Sequence, residues 1–236
     1  MGDGTQRQRS LLTRLFRREG HAYRGRVHEQ LLYRGEPAPP GPACGLRVVH
    51  YGYLDERLSA KDKFRRNLAL LMREWGERPD AYLAHQIGMT HYTAGDAEEA
   101  LPWLERARDL RGGYDARLLK DTAHCLKDLG RTKEALALVE EGIRAFPDYT
   151  DLYFLRGTLN LALGRVAEAE AAFRACVELG EAPAGYPSTE GVGSYLAHYN
   201  LGVICETLGR REQAARHYRA AAAAGYEPAR ARLGQL

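Results

Sequence analysis

The pattern of small, polar and large apolar positions repeats along the last two-thirds of the chain. Four hexamers mark the repeat, and each consists of a glycine, a short polar turn and a closing alanine. They are 'GDAEEA' (95–100), 'GRTKEA' (130–135), 'GRVAEA' (164–169) and 'GRREQA' (209–214), with starting glycines 35, 34 and 45 residues apart. Because glycine ends a helix and alanine favours the next one, this spacing predicts pairs of helices joined by tight turns.

Two further positions recur in register with the hexamers. Seven residues before each starting glycine lies a small residue: Gly88, Ala123, Gly157 and Gly202. Four residues after each closing alanine lies a large apolar residue: Leu104, Val139, Phe173 and Tyr218. A small position on one helix accepts a large side chain from its neighbour, so the two helices of each pair are expected to pack closely.

Together these positions resemble the tetratricopeptide repeat (TPR) in four successive copies. The copies lie near 81–114, 116–149, 150–180 and 195–226, and residues 227–236 are expected to form a capping helix. First helices are predicted near 81–94, 116–129, 150–163 and 195–208, and second helices near 97–110, 132–145, 166–179 and 211–224. The predicted fold is therefore mainly α, a solenoid of four helix–turn–helix repeats occupying residues 76–236.

Residues 181–194, 'EAPAGYPSTEGVGS', are inserted between the third and fourth repeats. Their proline and glycine content predicts a loop. Two interpretations stay open at this stage. The loop projects from a binding face of the solenoid, or it is a tolerated surface insertion.

The TPR resemblance implies a groove lined by the first helices, which holds a peptide or protein partner. The candidate groove residues are Tyr82, His85, Met89, Tyr92, Arg117, Lys120, His124, Lys127, Asp151, Phe154, Thr158, Leu161, Leu196, Tyr199, Asn200, Val203 and Glu206. This mapping predicts an aromatic end, a basic middle and a mixed far end, which suit an extended peptide with aromatic or acidic side chains. The alternative is that several of the aromatic rings are buried against the N-terminal segment.

Three blocks precede the repeats: 'RLFRREGHAYRGRVHEQLL' (14–32), 'LRVVHYGYLDE' (46–56) and 'KDKFRRNLALLMREW' (61–75). They predict strand structure, a second short strand and an amphipathic helix. In this order, before TPR repeats, they resemble the closing third of a bacterial family 2 glycosyltransferase of the GT-A fold. Residues 14–75 are therefore expected to be a small α/β remnant of that catalytic domain with a linking helix, after a basic tail at 1–13.

The glycosyltransferase resemblance implies roles for individual residues. His28 is a candidate metal or diphosphate ligand, and Glu29 a candidate general base or acceptor-orienting group. Arg17, Arg18 and Arg26 are candidates for binding the leaving diphosphate. If His28 and Glu29 are neighbours on one strand, their side chains point to opposite faces.

The chain lacks the first half of such an enzyme. No Asp-x-Asp motif occurs in it, and no nucleotide-binding unit precedes residue 14. We therefore expect no catalysis and no cofactor for this chain alone, with Mn²⁺ or Mg²⁺ only in a complete site. The alternative is a truncated or split glycosyltransferase that acts on a peptide or protein acceptor when a separate catalytic half is supplied.

Isolated strands are only marginally stable in water and leave unpaired edges, so residues 14–60 are expected to need a packing partner. Three possibilities are docking on the first repeat through helix 61–75, association with a chain carrying the missing half, and poor order.

Charge and composition narrow the class of protein. Residues 1–34 contain eight arginines against three carboxylates, a net charge of +5, while the whole chain carries +3. This basic front suits phosphate, a membrane surface or an acidic partner, and a solvated surface equally well. Nucleic-acid binding is not expected, because no aromatic residues are interleaved with the arginines. No membrane span and no secretion signal are predicted, so a cytoplasmic protein is expected. Of four scattered cysteines, the last three are expected to be buried thiols.

Overall fold

The computed structural model describes residues 8–9, 16–27, 29–39, 57–111 and 115–236, with only the backbone for 8–9 and 57–62. The chain forms two compact units, one of residues 11–113 and one of residues 1–10 with 114–236. The strands are β1 (Gln8–Arg9), β2 (His21–Arg24), β3 (Gln30–Tyr33), β4 (Glu36–Pro37) and β5 (Ser188–Thr189). The helices are α1 (Arg57–Glu77), α2 (Ala81–Thr93), α3 (Ala97–Arg111), α4 (Ala116–Asp128), α5 (Thr132–Ala145), α6 (Thr150–Ala162), α7 (Val166–Leu179), α8 (Tyr195–Thr207), α9 (Arg211–Ala223) and α10 (Glu227–Leu233).

The unit of residues 11–113 begins with a three-stranded antiparallel sheet in the order β2-β3-β4. His21 pairs with Tyr33 and Arg24 with Gln30, so β2 and β3 form a hairpin connected by residues 25–29. The strand structure predicted within 14–32 is present as β2 and β3, and these strands pair with each other and with β4 as a local antiparallel meander. The predicted strand within 46–56 lies outside the described residues.

The sheet is followed by the long helix α1 and the first helix pair. The predicted helix at 61–75 is present and longer, covering Arg57–Glu77. Leu71 from α1 is fully buried with Leu83 and Ile87 from α2, and Val27 from the hairpin connection packs against this cluster. Burial of apolar surface therefore links the hairpin to the first repeat, which is the first of the three possibilities for residues 14–60.

The helix boundaries follow the predicted repeat closely. Each predicted first and second helix from residue 81 to residue 224 is present, with ends that differ by at most one residue. The glycine after each first helix ends it, as Gly130 shows with a φ of +74°. The amide of Arg131 then donates to the carbonyl of Leu126 at 2.9 Å, which satisfies a helix-terminal acceptor.

The predicted exchange of small and large residues is confirmed in the first, third and fourth helix pairs. A Cβ atom at Gly157 would lie 2.7 Å from the ring of Phe173, and one at Gly202 would lie 2.5 Å from the ring of Tyr218. At Gly88 the corresponding distance to Leu104 is 2.9 Å. A side chain at any of these glycines would therefore have to displace the large residue opposite it.

The C-terminal helix α10 covers the last repeat, as predicted. Ala229 is fully buried in one cluster with Cys205, Ala214, Tyr218 and Ala221. The expectation for the last three cysteines is also confirmed, since Cys125, Cys176 and Cys205 are free and buried. Cys44 lies outside the described residues.

Candidate functional site

Residues 181–194, here called the inter-repeat loop, are held by a buried carboxylate at the start of α6. Asp151 accepts hydrogen bonds from the hydroxyl of Ser188 at 2.6 Å and from the amide of Thr189 at 2.9 Å. The ammonium of Lys120 lies 3.2 Å from the same carboxylate. Lys120 is 7% exposed and Asp151 5%. Each charge is therefore compensated within the protein, as burial requires.

A second anchor is the carbonyl oxygen of Pro187. It accepts hydrogen bonds from Lys120 Nζ at 2.7 Å and from the hydroxyl of Tyr149 at 2.6 Å. The Lys120 ammonium also lies 5.3 Å from the centre of the Tyr149 ring. Lys120 therefore contacts the loop directly, and the structure corrects its predicted role as an open peptide-binding cation.

Two tyrosine rings close the same region. The rings of Tyr149 and Tyr186 are stacked with centroids 4.5 Å apart, and the hydroxyl of Tyr186 donates to Asp148 at 2.7 Å. Burial, followed by the charges of Asp151 and Asp121, raises the pKa of Tyr149 well above its ordinary range. Burial and the bond to Asp148 raise the pKa of Tyr186 to about 12. Both hydroxyls therefore stay protonated at physiological pH and act as donors.

The two ends of the inter-repeat loop are joined to each other. Glu181 accepts a hydrogen bond from the amide of Gly191 at 3.1 Å and one from the hydroxyl of Ser194 at 2.7 Å. A Cβ atom at Gly193 would lie 2.0 Å from the backbone of Gly180. The loop therefore folds back as a closed, packed segment, and neither predicted form, a projecting loop or a tolerated surface insertion, describes it.

The strand within this loop is paired with the N-terminal segment of the chain. β1 and β5 are antiparallel, with Gln8 opposite Thr189 and Arg9 opposite Ser188. Both strands belong to the unit that contains the second, third and fourth repeats. One edge of β5 in the loop is thus paired with β1.

The predicted basic middle of the groove is neutralised by neighbouring carboxylates. Arg117 lies 3.5 Å from Asp121, and Lys127 lies 2.9 Å from Asp128. Burial, followed by the charges of Lys120 and Lys127, lowers the pKa of His124. His124 is therefore uncharged at neutral pH, and the middle of this face does not offer the net positive charge that the sequence suggested.

Helix α6 carries an apolar stripe at the predicted inward positions. Phe154 is half-buried, with its ring 5.3 Å from that of Phe173. Thr158 is also half-buried, and Leu161 remains 36% exposed. Residues 154, 158 and 161 lie on one face of a helix, and this face begins at Asp151 under the loop.

The predicted aromatic and amide positions at the far end take part in packing. The Tyr199 ring lies 5.8 Å from that of Tyr218 and 5.2 Å from that of Tyr226. The amide group of Asn200 donates to the carbonyl of Leu196 in its own helix at 2.8 Å. Tyr199 is thus part of the contact between α8 and the C-terminal cap, and its exposure is intermediate.

The predicted groove residues of the first repeat lie in the other unit. His85 is buried at 8% exposure, while Tyr82 and Tyr92 are half-buried. Burial of these aromatic rings against the N-terminal segment, the alternative to a groove role, stays a prediction.

Family models of the tetratricopeptide repeat match residues 79–148, 121–186 and 195–220. The chain contains tetratricopeptide repeats.

Solved structures of similar fold agree with this assignment. The crystal structure of MamA is 17% identical, covers 72% of this chain and 93% of its own, and has a TM-score of 0.58. MamA 41-end from Desulfovibrio magneticus RS-1 is 20% identical, covers 73% and 88%, and has a TM-score of 0.57. At these identities the likeness shows the fold alone. No curated protein matches the chain.

The three tetratricopeptide-repeat matches leave residues 1–78 outside, and none of the matches supports a glycosyltransferase origin. Glu29 is exposed in the connection before β3, which corrects its predicted place on a strand. His28 lies outside the described residues. Arg17 and Arg18 are exposed before β2.

Arg26 has carboxylate partners within its own unit. Its guanidinium donates to Glu77 at 2.8 Å, and its amide donates to Glu74 at 2.9 Å. The described geometry therefore gives Arg26 a structural contact with α1 in place of the predicted contact with diphosphate.

The residues of the TPR domain that the sequence did not single out are Tyr149, Tyr186 and Ser188. Tyr149 immediately precedes α6, and the other two lie in the proline-rich insertion, where local spacing carries no information on contacts. A weak signal was the pair of tyrosines itself, since buried tyrosines require a hydrogen-bond partner.

Among the described residues, no group of three or more His, Cys, Asp or Glu side chains is placed to bind a metal ion. No helix in the described part of the chain is long and apolar enough to cross a membrane.

Proposed function

We propose that this chain is a protein-interaction module. It binds a peptide or protein segment on the face formed by the first helices of the second to fourth repeats. The observation that carries the proposal is the stripe of Phe154, Thr158 and Leu161 on α6. Packing within the repeats does not require an exposed leucine at this position of a first helix. Partly exposed apolar side chains at helical spacing are suited to the apolar anchors of a partner.

The neutralised charges refine the class of ligand. Because Arg117, Lys120 and Lys127 each have a carboxylate within 4 Å, an acidic peptide gains little from this face. A ligand with aromatic or aliphatic anchors matches the stripe better than the acidic ligand that the sequence suggested.

The test is a selection from a library of random dodecapeptides with the full chain as bait, followed by titration of the selected peptides. Leu161→Glu is expected to weaken their binding at least tenfold, because a carboxylate would lie in the contact. Leu179→Glu is the matched control, since Leu179 is 42% exposed but belongs to the second helix α7. Selected peptides that lose affinity equally with both variants would contradict the proposal.

The glycosyltransferase origin of residues 14–75, and with it the split-enzyme alternative and a separate catalytic partner, stays a prediction without a supporting match. Titration of the full chain with a UDP-sugar and Mn²⁺ tests it. Binding that is weakened by His28→Ala would support that alternative, and no binding is expected from the chain alone.

A further inference from the structure

The pairing of β5 is unusual because its partner strand, β1, lies about 180 residues earlier in the chain. β5 lies in the inter-repeat loop, and β1 lies in the first ten residues. The two strands have only two residues each, so their pairing is not stable in isolation. Their pairing therefore depends on β5 being held in an extended conformation by the rest of the unit.

The buried network supplies this support. Ser188 is 2% exposed and donates its hydroxyl to Asp151, which also accepts the amide of Thr189. The carbonyl of Pro187, just before β5, is held by Lys120 and Tyr149. One side of β5 is thus fixed to α4 and α6, and the strand presents a preorganised edge on its other side.

Charge complements this geometry. The inter-repeat loop contains Glu181 and Glu190 and no lysine or arginine, whereas residues 5–10, 'TQRQRS', contain two arginines and no carboxylate. Opposite net charges on the loop and on the sequence around β1 favour their association, most strongly at low ionic strength.

We propose that the edge of β5 is a strand-addition site for an extended basic peptide, and that β1 (Gln8–Arg9) is its intramolecular occupant. Main-chain hydrogen bonds supply the binding, and the arginines select the segment by charge. A partner with a segment of the same class competes with the chain's own N-terminus. This inference rests on the proposed interaction function and adds a site and its regulation.

The test uses a fluorescein-labelled peptide of residues 5–12, 'TQRQRSLL', titrated by anisotropy with the full chain. In the wild type the tethered segment already occupies the β5 edge and competes with the added peptide, so weak binding is expected. The double variant Gln8→Pro/Arg9→Pro removes both strand amides and should bind the peptide at least tenfold more tightly. The same peptide with both prolines is the control and should bind neither protein.

Amide hydrogen exchange at residues 187–190 gives a second readout. Exchange should be faster in the double-proline variant than in the wild type, and saturating peptide should slow it again. Equal peptide affinity in the two proteins, or exchange that the prolines leave unchanged, would overturn the inference.

Two further outcomes distinguish a wrong occupant of β5 from a wrong binding site. A concentration-dependent dimer of the wild type that the prolines abolish, measured by sedimentation velocity, would make a second copy the occupant and overturn the intramolecular assignment. The β5 site would be rejected if the peptide of residues 5–12 does not bind the double-proline variant. The proposed function would be retained in that case if the selected dodecapeptides still lose affinity with Leu161→Glu.

Discussion

The inter-repeat loop and the β2–β3 hairpin both lie outside the helical repeats, but different forces hold them in place. The loop is fixed by buried polar groups, with Asp151, Lys120 and Tyr149 at its centre. The hairpin is fixed by Val27 in a small apolar cluster and by an exposed ion pair, in which the side chains of Arg26 and Glu77 are 38% and 54% exposed.

This difference indicates which segment is integral to its unit. A buried network must form as a whole, because any member left without its partner retains a large desolvation cost. An exposed ion pair is screened by water and salt and contributes little. The loop should therefore unfold together with the repeats around it, whereas the hairpin should detach from its unit more easily.

The largest effect is expected from Asp151→Ala, which leaves the Lys120 ammonium buried without a counter-charge. We expect the free energy of unfolding to fall by about 3–5 kcal/mol, measured by urea denaturation followed by circular dichroism. Asp148→Ala, which removes only the hydrogen bond from Tyr186, is the control and should cost about 1 kcal/mol. Equal losses in the two variants would mean that the buried network does not stabilise the loop.

The next effect tests the closure of the loop. Gly193→Ala places a methyl group against the backbone of Gly180, which cannot move aside as a flexible side chain can. A loss of about 1–3 kcal/mol in the free energy of unfolding is expected. Gly185→Ala in the same loop meets no atom within 4 Å and should leave stability unchanged or slightly raised. If Gly193→Ala is as stable as the control, the loop does not close as described.

Acidification should affect the two regions in different pH windows. The pKa of His124, beside Lys120, is lowered by burial, so the unfolded state binds its proton first. Stability from this group is complete above the unfolded value of 6.5 and decreases as the pH falls through the lowered folded value. The pKa of Glu77 in the hairpin contact is lowered chiefly by its hydrogen bond from Arg26, so that contact is complete above 4.5 and weakens only at lower pH.

Urea midpoints measured between pH 7.5 and pH 5 test this order. The wild type should lose stability across the range, and His124→Gln should flatten the dependence. A slope that His124→Gln leaves unchanged would assign the acid sensitivity to other groups.

The smallest effect is expected at the hairpin. Arg26→Ala should leave the urea midpoint of the helical signal almost unchanged, because its ion pair with Glu77 is exposed to solvent. Amide exchange within 21–33 should become faster, since one attachment to α1 is lost. Val27→Ala is the comparison and should loosen the hairpin more, through lost apolar burial. A large drop in midpoint with Arg26→Ala would show that the hairpin is as integral as the loop.

The repeats could be predicted from the sequence because their determinants are local. The glycine after each first helix, and the exchange of Gly157 with Phe173, both act within one helix pair. The path of the loop could not be predicted in this way. Lys120 and Pro187 are 67 residues apart, and no spacing rule connects a lysine on a first helix with a carbonyl in a proline-rich insertion.

The candidate groove shows the same limit. Its inward positions follow from helical periodicity, but whether a cation is available depends on its neighbours. For Arg117 the signal was present, because Asp121 follows four residues later on the same helix. For Lys120 it was absent, because Asp151 belongs to another repeat. The hairpin strands were indicated by the sequence, whereas the place of Glu29 in their connection depends on where pairing begins.

The contacts between glycines and large side chains have a consequence for how this chain can change. Three different large residues, Leu104, Phe173 and Tyr218, each lie against a glycine. Where the large residue is Val139, the small position is Ala123 and not glycine. The two sites therefore share one volume, and a substitution at either is tolerated only when the other compensates. In laboratory evolution of this protein, such positions should be randomised as pairs, because libraries that vary one site at a time would lose most members to misfolding.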